Sequence, residues 1–169
     1  MISLGCRGLG IIFNLDIENQ RKLFNFGAHL GIAFQIHDDI LDFTQDSRVL
    51  GKPAFNDVKE GIVTAPLVFG LLQHHAAGNM DEFREMNDII LRKFDNQVQD
   101  VPRGIDLLFS SSGIELADKL SIEHILSGID SLQQMEYPNG HNIIASTDGD
   151  ENHVKGLVGL ALKVKTRKY

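Results

Sequence analysis

The feature that most constrains this chain is the stretch from Asn14 to Phe43, "NLDIENQRKLFNFGAHLGIAFQIHDDILDF", which contains no proline and no turn signal. Asn14 or Asp16 is placed to cap it, and acidic and amide residues follow early, as a helix start requires. Leu23, Phe24, Phe26, Leu30, Ile32, Ala33, Phe34, Ile36, Ile40 and Leu41 leave little polar face. A helix apolar around most of its circumference belongs inside a bundle. Gly27 and Gly31, one turn apart, would let a neighbouring helix come close to the backbone.

The rest of the chain follows the same pattern. Residues 2–13 read as a buried apolar helix, and residues 44–57 as a polar loop with Gly51 and Pro53. Asp57 is expected to cap a helix ending near His74 and His75, with a kink at Pro66. An amphipathic period begins at Met80 with acidic residues early and basic ones late, as the helix macrodipole favours. Further helices are expected near 95–110 despite Pro102, at 114–135 and at 152–166, with residues 137–152 as a surface loop. No β-alternation and no repeat is visible, so the expected fold class is all-α, with about six helices in one compact unit.

The formal charge of −7 gives no electrostatic footprint for nucleic acid or for an anionic membrane surface. No apolar run is long enough for a membrane span. The opening residues also lack the charged leader and cleavage site of a secretory signal. Cys6 is the single cysteine, so an internal disulfide is excluded; it reads as a small buried apolar side chain. The seven histidines show no zinc spacing and read as surface or helix-end residues, with His37 set apart because it adjoins the acidic cluster. Gly51 and Lys52 lack the upstream glycine of a phosphate-binding P-loop. The acidic run at Asp148 lacks the glycine and glutamate of a calcium loop.

That acidic cluster ends the long helix. Asp38 and Asp42 lie one turn apart on one face, about 6 Å along the axis, with Asp39 beside them. Three like charges this close repel unless a cation or solvent compensates. All-oxygen ligation suits a hard cation, and Mg²⁺ takes one or two carboxylates together with waters and phosphate oxygens. The cluster therefore reads as a half-site for a metal-bound phosphate, with Lys52 in the following loop as a basic residue for an anionic ligand.

"GIAFQIHDDILDF" followed by "LGKPAFNDVKEGIVTAP" resembles the second aspartate-rich region of trans-isoprenyl diphosphate synthases, particularly the long-chain polyprenyl type. The resemblance carries Gly31, Phe34, Gln35, Asp38, Asp39, Asp42, Gly51, Lys52, Pro53, Asp57, Gly61, Thr64 and Pro66 in register, and weaker likeness extends to the last residues. It implies an all-α bundle of the isoprenoid synthase type around an apolar cavity. It also implies Mg²⁺ as cofactor, and allylic and isopentenyl diphosphates as substrates joined by ionisation, attack and loss of a proton. By position, Asp38 resembles the principal metal ligand, with Asp42 and Asp39 ligating directly or through water. Gln35 and Phe34 would face the reacting centre, and Lys52 would contact the allylic diphosphate. The family carries two such motifs and this sequence one, so the chain is expected to correspond to the C-terminal half of a synthase and to be inactive alone. A noncatalytic helical subunit that associates with an active synthase is the alternative, and a terpene cyclase relative is disfavoured by the "LGKP" loop. Exposed apolar faces would make the chain a homo- or hetero-oligomer. The resemblance implies a mitochondrial or cytoplasmic location.

Overall fold

The computed structural model of the protein describes residues 1–44, 55–135 and 151–166. Among these residues the regular structure is entirely helical: α1 (Ile2–Ile12), α2 (Ile17–Thr44), α3 (Asn56–Lys59), α4 (Ala65–Ala76), α5 (Met80–Leu91), α6 (Gln97–Phe109), α7 (Gly113–Gln133) and α8 (Glu151–Thr166). The expected class is borne out, and the helix count is higher for an identifiable reason. The stretch expected as one helix from Asp57 is two, because Gly61 turns the chain at φ +70° after α3. The peptide N–H groups of Gly61 and Ile62 bond back to Val58 and Asp57 at 3.0 and 2.8 Å, closing the short helix. Pro66 then falls in the first turn of α4, where its missing N–H breaks no bond, so the expected kink does not arise. Asp57 lies inside α3 and does not cap α4. Of the loops expected at 44–57 and 137–152, residues 45–54 and 137–150 lie outside the described residues, while Thr44 ends α2, Asn56 and Asp57 fall in α3, and residues 151 and 152 fall in α8.

The packed residues group into two units, residues 1–35 with those from Ser121 onward, and Ile36–Leu120. In the first, Phe26, Leu30 and Ala33 of α2 meet Ile125 and Leu132 of α7, Met135, and Ala161 and Val164 of α8. The Ser121 hydroxyl donates to the Ala33 carbonyl at 3.2 Å within this seam. Gly27 has the role expected of it: a Cβ there would lie 2.7 Å from Ser3 Cα and 2.9 Å from Cys6 Sγ, so α1 lies backbone to backbone on α2.

That contact also explains where the reading of α1 fails. The helix was expected to be buried, yet Leu4 is 65%, Ile12 73% and Phe13 73% exposed. What faces α2 is the small-residue side of α1, Ser3, Cys6 and Gly10. The large apolar side chains lie elsewhere on the helix, since apolar composition alone does not say which side is covered. Cys6 is half-buried, and that burial pushes its thiol above the ordinary range.

The second unit has its core among Phe43, Val58, Leu67, Met86, Ile89, Phe94, Val101, Leu107 and Leu108. The start of α7 crosses α4 closely: a Cβ on Gly113 would lie 2.5 Å from the Pro66 carbonyl oxygen and 2.7 Å from Gly70 N. His74 corrects the expectation for the histidines. It is 2% exposed between α4 and α6, and its Nε2 meets the Leu107 carbonyl at 2.9 Å. A backbone carbonyl at the helix contact makes that burial tolerable. Arg92 donates two bonds to the buried Asp100 carboxylate, at 2.8 and 2.7 Å, and Asp100 also accepts from Asn96 N–H.

Candidate functional site

The site is built on α2, and its register is set at the helix start. Asp16 Oδ1 accepts from the Asn19 peptide N–H and Asp16 Oδ2 from the Asn19 side-chain amide, both at 2.8 Å. Of the two capping candidates Asp16 is therefore the cap, and the bond from Asn19 N–H pulls its carboxyl below the usual range. Asn14 instead turns the chain at φ +52°. From this cap α2 runs without interruption to Thr44, whose hydroxyl bonds back to the Ile40 carbonyl at 3.0 Å.

The last turns carry the acidic cluster. Asp38 is half-buried, and Asp39 and Asp42 are buried at 8% exposure each. Asp42 reaches forward in the chain. Its two carboxylate oxygens accept from the peptide N–H groups of Asn56 at 3.2 Å and Asp57 at 3.3 Å, and its own carbonyl accepts from Phe55 N–H at 3.2 Å. A carboxylate thus caps the first turn of α3 and ties it to the end of α2. Sequence reasoning assigned Asp42 only to a metal. The capping role was missed because its partners are far along the chain and give no local signal.

Phe34 is 37% exposed and Gln35 is exposed, one helical turn before Asp38 and Asp39 respectively. Helix geometry puts Phe34 in line with Asp38, and Gln35 in line with Asp39. His37, between them, is buried. Lys52, expected to contact a diphosphate, lies outside the described residues. Thr64 is 6% exposed at the start of α4, and its hydroxyl has no hydrogen-bond partner among the described residues. Ala65 and Phe69, just after it, pack on Ile36 and Ile40 of α2.

No three or more histidine, cysteine, aspartate or glutamate side chains form a metal-holding group among the described residues. The donor chemistry nevertheless fits a hard ion held in part by protein. Mg²⁺ needs only one or two carboxylates when phosphate oxygens and waters supply the rest. The two N–H bonds to Asp42 leave it unused lone pairs.

This all-α chain, whose long helix α2 ends in an Asp-Asp-Ile-Leu-Asp run, has the class of fold seen in isoprenoid synthases, as its superposition on solved prenyl diphosphate synthases shows. The family model for polyprenyl synthetases matches residues 1–106, and the chain belongs to that family. Among its relatives are the mitochondrial solanesyl-diphosphate synthase 1 of Oryza sativa subsp. japonica, 29% identical over 99% of this chain and 35% of that protein. The chloroplastic/mitochondrial solanesyl diphosphate synthase 3 of Arabidopsis thaliana is 34% identical over 73% of this chain and 27% of that protein. The heptaprenyl diphosphate synthase of Staphylococcus aureus superposes with a TM-score of 0.77 at 26% identity, covering 99% of this chain and 46% of that one. The chain thus spans between about a quarter and a third of the length of these curated relatives and about half of the solved one.

Proposed function

We propose that this chain takes part in prenyl transfer, the condensation of isopentenyl diphosphate with an allylic diphosphate, and that the end of α2 holds the allylic diphosphate through Mg²⁺. The observation that carries this reading is the continuous α2, which presents Phe34 and Gln35 one turn before Asp38 and Asp39. Asp38 would be the principal protein ligand of the ion, with Asp42 and Asp39 contributing directly or through water. An ion held there would supply positive charge against the negative charge of a departing diphosphate. The remaining work falls to the chain's own groups. Gln35 offers amide donors to an oxygen of the leaving group. The Phe34 ring offers an apolar, electron-rich face beside the carbocation and keeps water from it. Lys52 contributes a positive charge for the diphosphate. Asp42 orients the start of α3 through its two peptide N–H bonds, which ties that helix to the end of α2.

Membership of a family with solanesyl and heptaprenyl synthases among its members supports a long-chain product for quinone side chains. The mitochondrial location of the Oryza relative and the chloroplastic or mitochondrial one of the Arabidopsis relative support an organellar setting. The domain reading is of residues 1–169 as a single all-α part of a polyprenyl synthetase domain. A second reading, a noncatalytic helical subunit bound to an active synthase, is favoured by the exposed apolar side chains of α1.

The test is an elongation assay with labelled isopentenyl diphosphate, an allylic diphosphate and Mg²⁺. Elongation that disappears in Asp38→Ala supports the catalytic reading. Binding of the allylic diphosphate without elongation supports the subunit reading, and elongation that persists in Asp38→Ala refutes the site.

A further inference from the structure

We propose that His29 of α2 and His124 of α7 form a proton-sharing clasp that holds these two helices together and opens in acid. The two Nδ1 atoms are 2.8 Å apart, with ring centroids separated by 5.1 Å and the ring planes tilted by 41°. Two imidazole nitrogens can approach this closely only when one carries a hydrogen and the other a lone pair. The pair therefore accepts no charge or one positive charge. A second proton puts hydrogens on both Nδ1 atoms and replaces the bond with repulsion between two cations.

The surroundings make the clasp part of a seam. On one side of His124 the Ser121 hydroxyl bonds to the Ala33 carbonyl. On the other, α7 lies against α2 at Gly128, where a Cβ would make ordinary contact at 3.4 Å from His29 Cβ and 3.5 Å from the Phe26 ring. Both histidines are half-buried, so a proton from solvent can reach the rings while their separation costs packing.

Among the described residues, the charged groups that act on His124 are His29 across the seam and Glu123 on its own helix. Burial, and then the charge of His29, hold the His124 imidazole below its ordinary value of 6.5, against a smaller opposing effect of Glu123. The sign follows. A histidine whose folded-state pKa is depressed contributes stability that is present above its unfolded value and is lost as pH falls through the folded one. The seam between α2 and α7 is thus firm at neutral pH and weakens below it.

The experiment follows the imidazole Hε1 resonances of the wild-type chain, His29→Asn and His124→Asn from pH 8 down to acid, with EDTA present to keep metals off the rings. Asparagine keeps a polar group within reach of the partner but cannot carry the second charge. In the wild type, His124 is expected to take its proton below the ordinary range, and His29→Asn is expected to move that midpoint up. Amide exchange of α7 between Ser121 and Gly128, corrected for intrinsic rates, should accelerate as pH falls, and less so in His29→Asn. A His124 that titrates at the ordinary value, or whose midpoint is unmoved by His29→Asn, overturns the proposal. Should His29→Asn fail to fold, His124→Asn and the wild-type curves decide it: two independent single-site titrations in the wild type, with α7 protection unchanged in acid, refute the clasp.

Discussion

Asp42 has a structural role beside the one proposed for it at the ion. Asp42 satisfies two peptide N–H groups at the start of α3. Truncating a cap of this kind costs about 1 kcal/mol, in a range of roughly 0.5–2. Urea unfolding should therefore show Asp42→Ala destabilised by about that amount; an unfolding midpoint equal to wild type would contradict the cap. Asp100 gives a pH prediction. The Arg92 guanidinium that bonds it holds its carboxyl below the usual range, so its contribution is present above the ordinary aspartate value of 3.8 and is lost as pH falls through the lowered one. The urea midpoint of Asp100→Asn should lie below wild type at pH 7, and the gap should narrow in strong acid; a gap that is the same at both pH values would contradict this. At this scale legibility depended on distance along the chain. The Asp16 cap was legible because its partner is Asn19, three residues on. The Asp42 cap and the burial of His74 against Leu107 were not, because their partners come from elements brought together only by folding.

At the scale of elements, contacts between helix backbones decide which helices lie together. Gly113 meets the Pro66 carbonyl and the Gly70 nitrogen, both backbone atoms that cannot swing aside. Gly113→Ala should therefore cost about 1–3 kcal/mol in urea unfolding, through displacement of α7 from α4. At Gly27 the analogous clash is with α1, and Gly27→Ala should release α1, read as faster amide exchange over residues 2–12 while the core of α4 to α6 stays protected. The close approach at Gly27 was legible because two glycines one turn apart stand out on a long helix. The one at Gly113 was not, since a glycine at a helix start equally suits a turn. The split between α3 and α4 was misread for a related reason. An apolar run through Pro66 has the same periodicity whether the proline kinks a helix or begins one, and only the positive φ of Gly61 separates the cases.

On the scale of the whole molecule, the fold class was legible because helical periodicity recurs through the chain without strand alternation. The amount of apolar surface left open was less so. Leu4, Leu9, Ile11, Ile12 and Phe13 are all more than half exposed, a patch of a kind that promotes association. Sedimentation velocity should show concentration-dependent self-association, reduced in Ile12→Asp and Phe13→Asp; a monodisperse monomer at all concentrations would contradict this. The central claim, that the end of α2 is a metal-dependent diphosphate site, is tested most directly by binding. Isothermal titration of the chain with farnesyl diphosphate, in Mg²⁺ and in EDTA, should show binding that requires the ion. Losing a charged ligand worth about 1.5–3 kcal/mol predicts that Asp38→Ala binds roughly ten- to a hundredfold more weakly. Binding of equal strength in EDTA, or in Asp38→Ala, would contradict the account, as would the absence of binding in Mg²⁺.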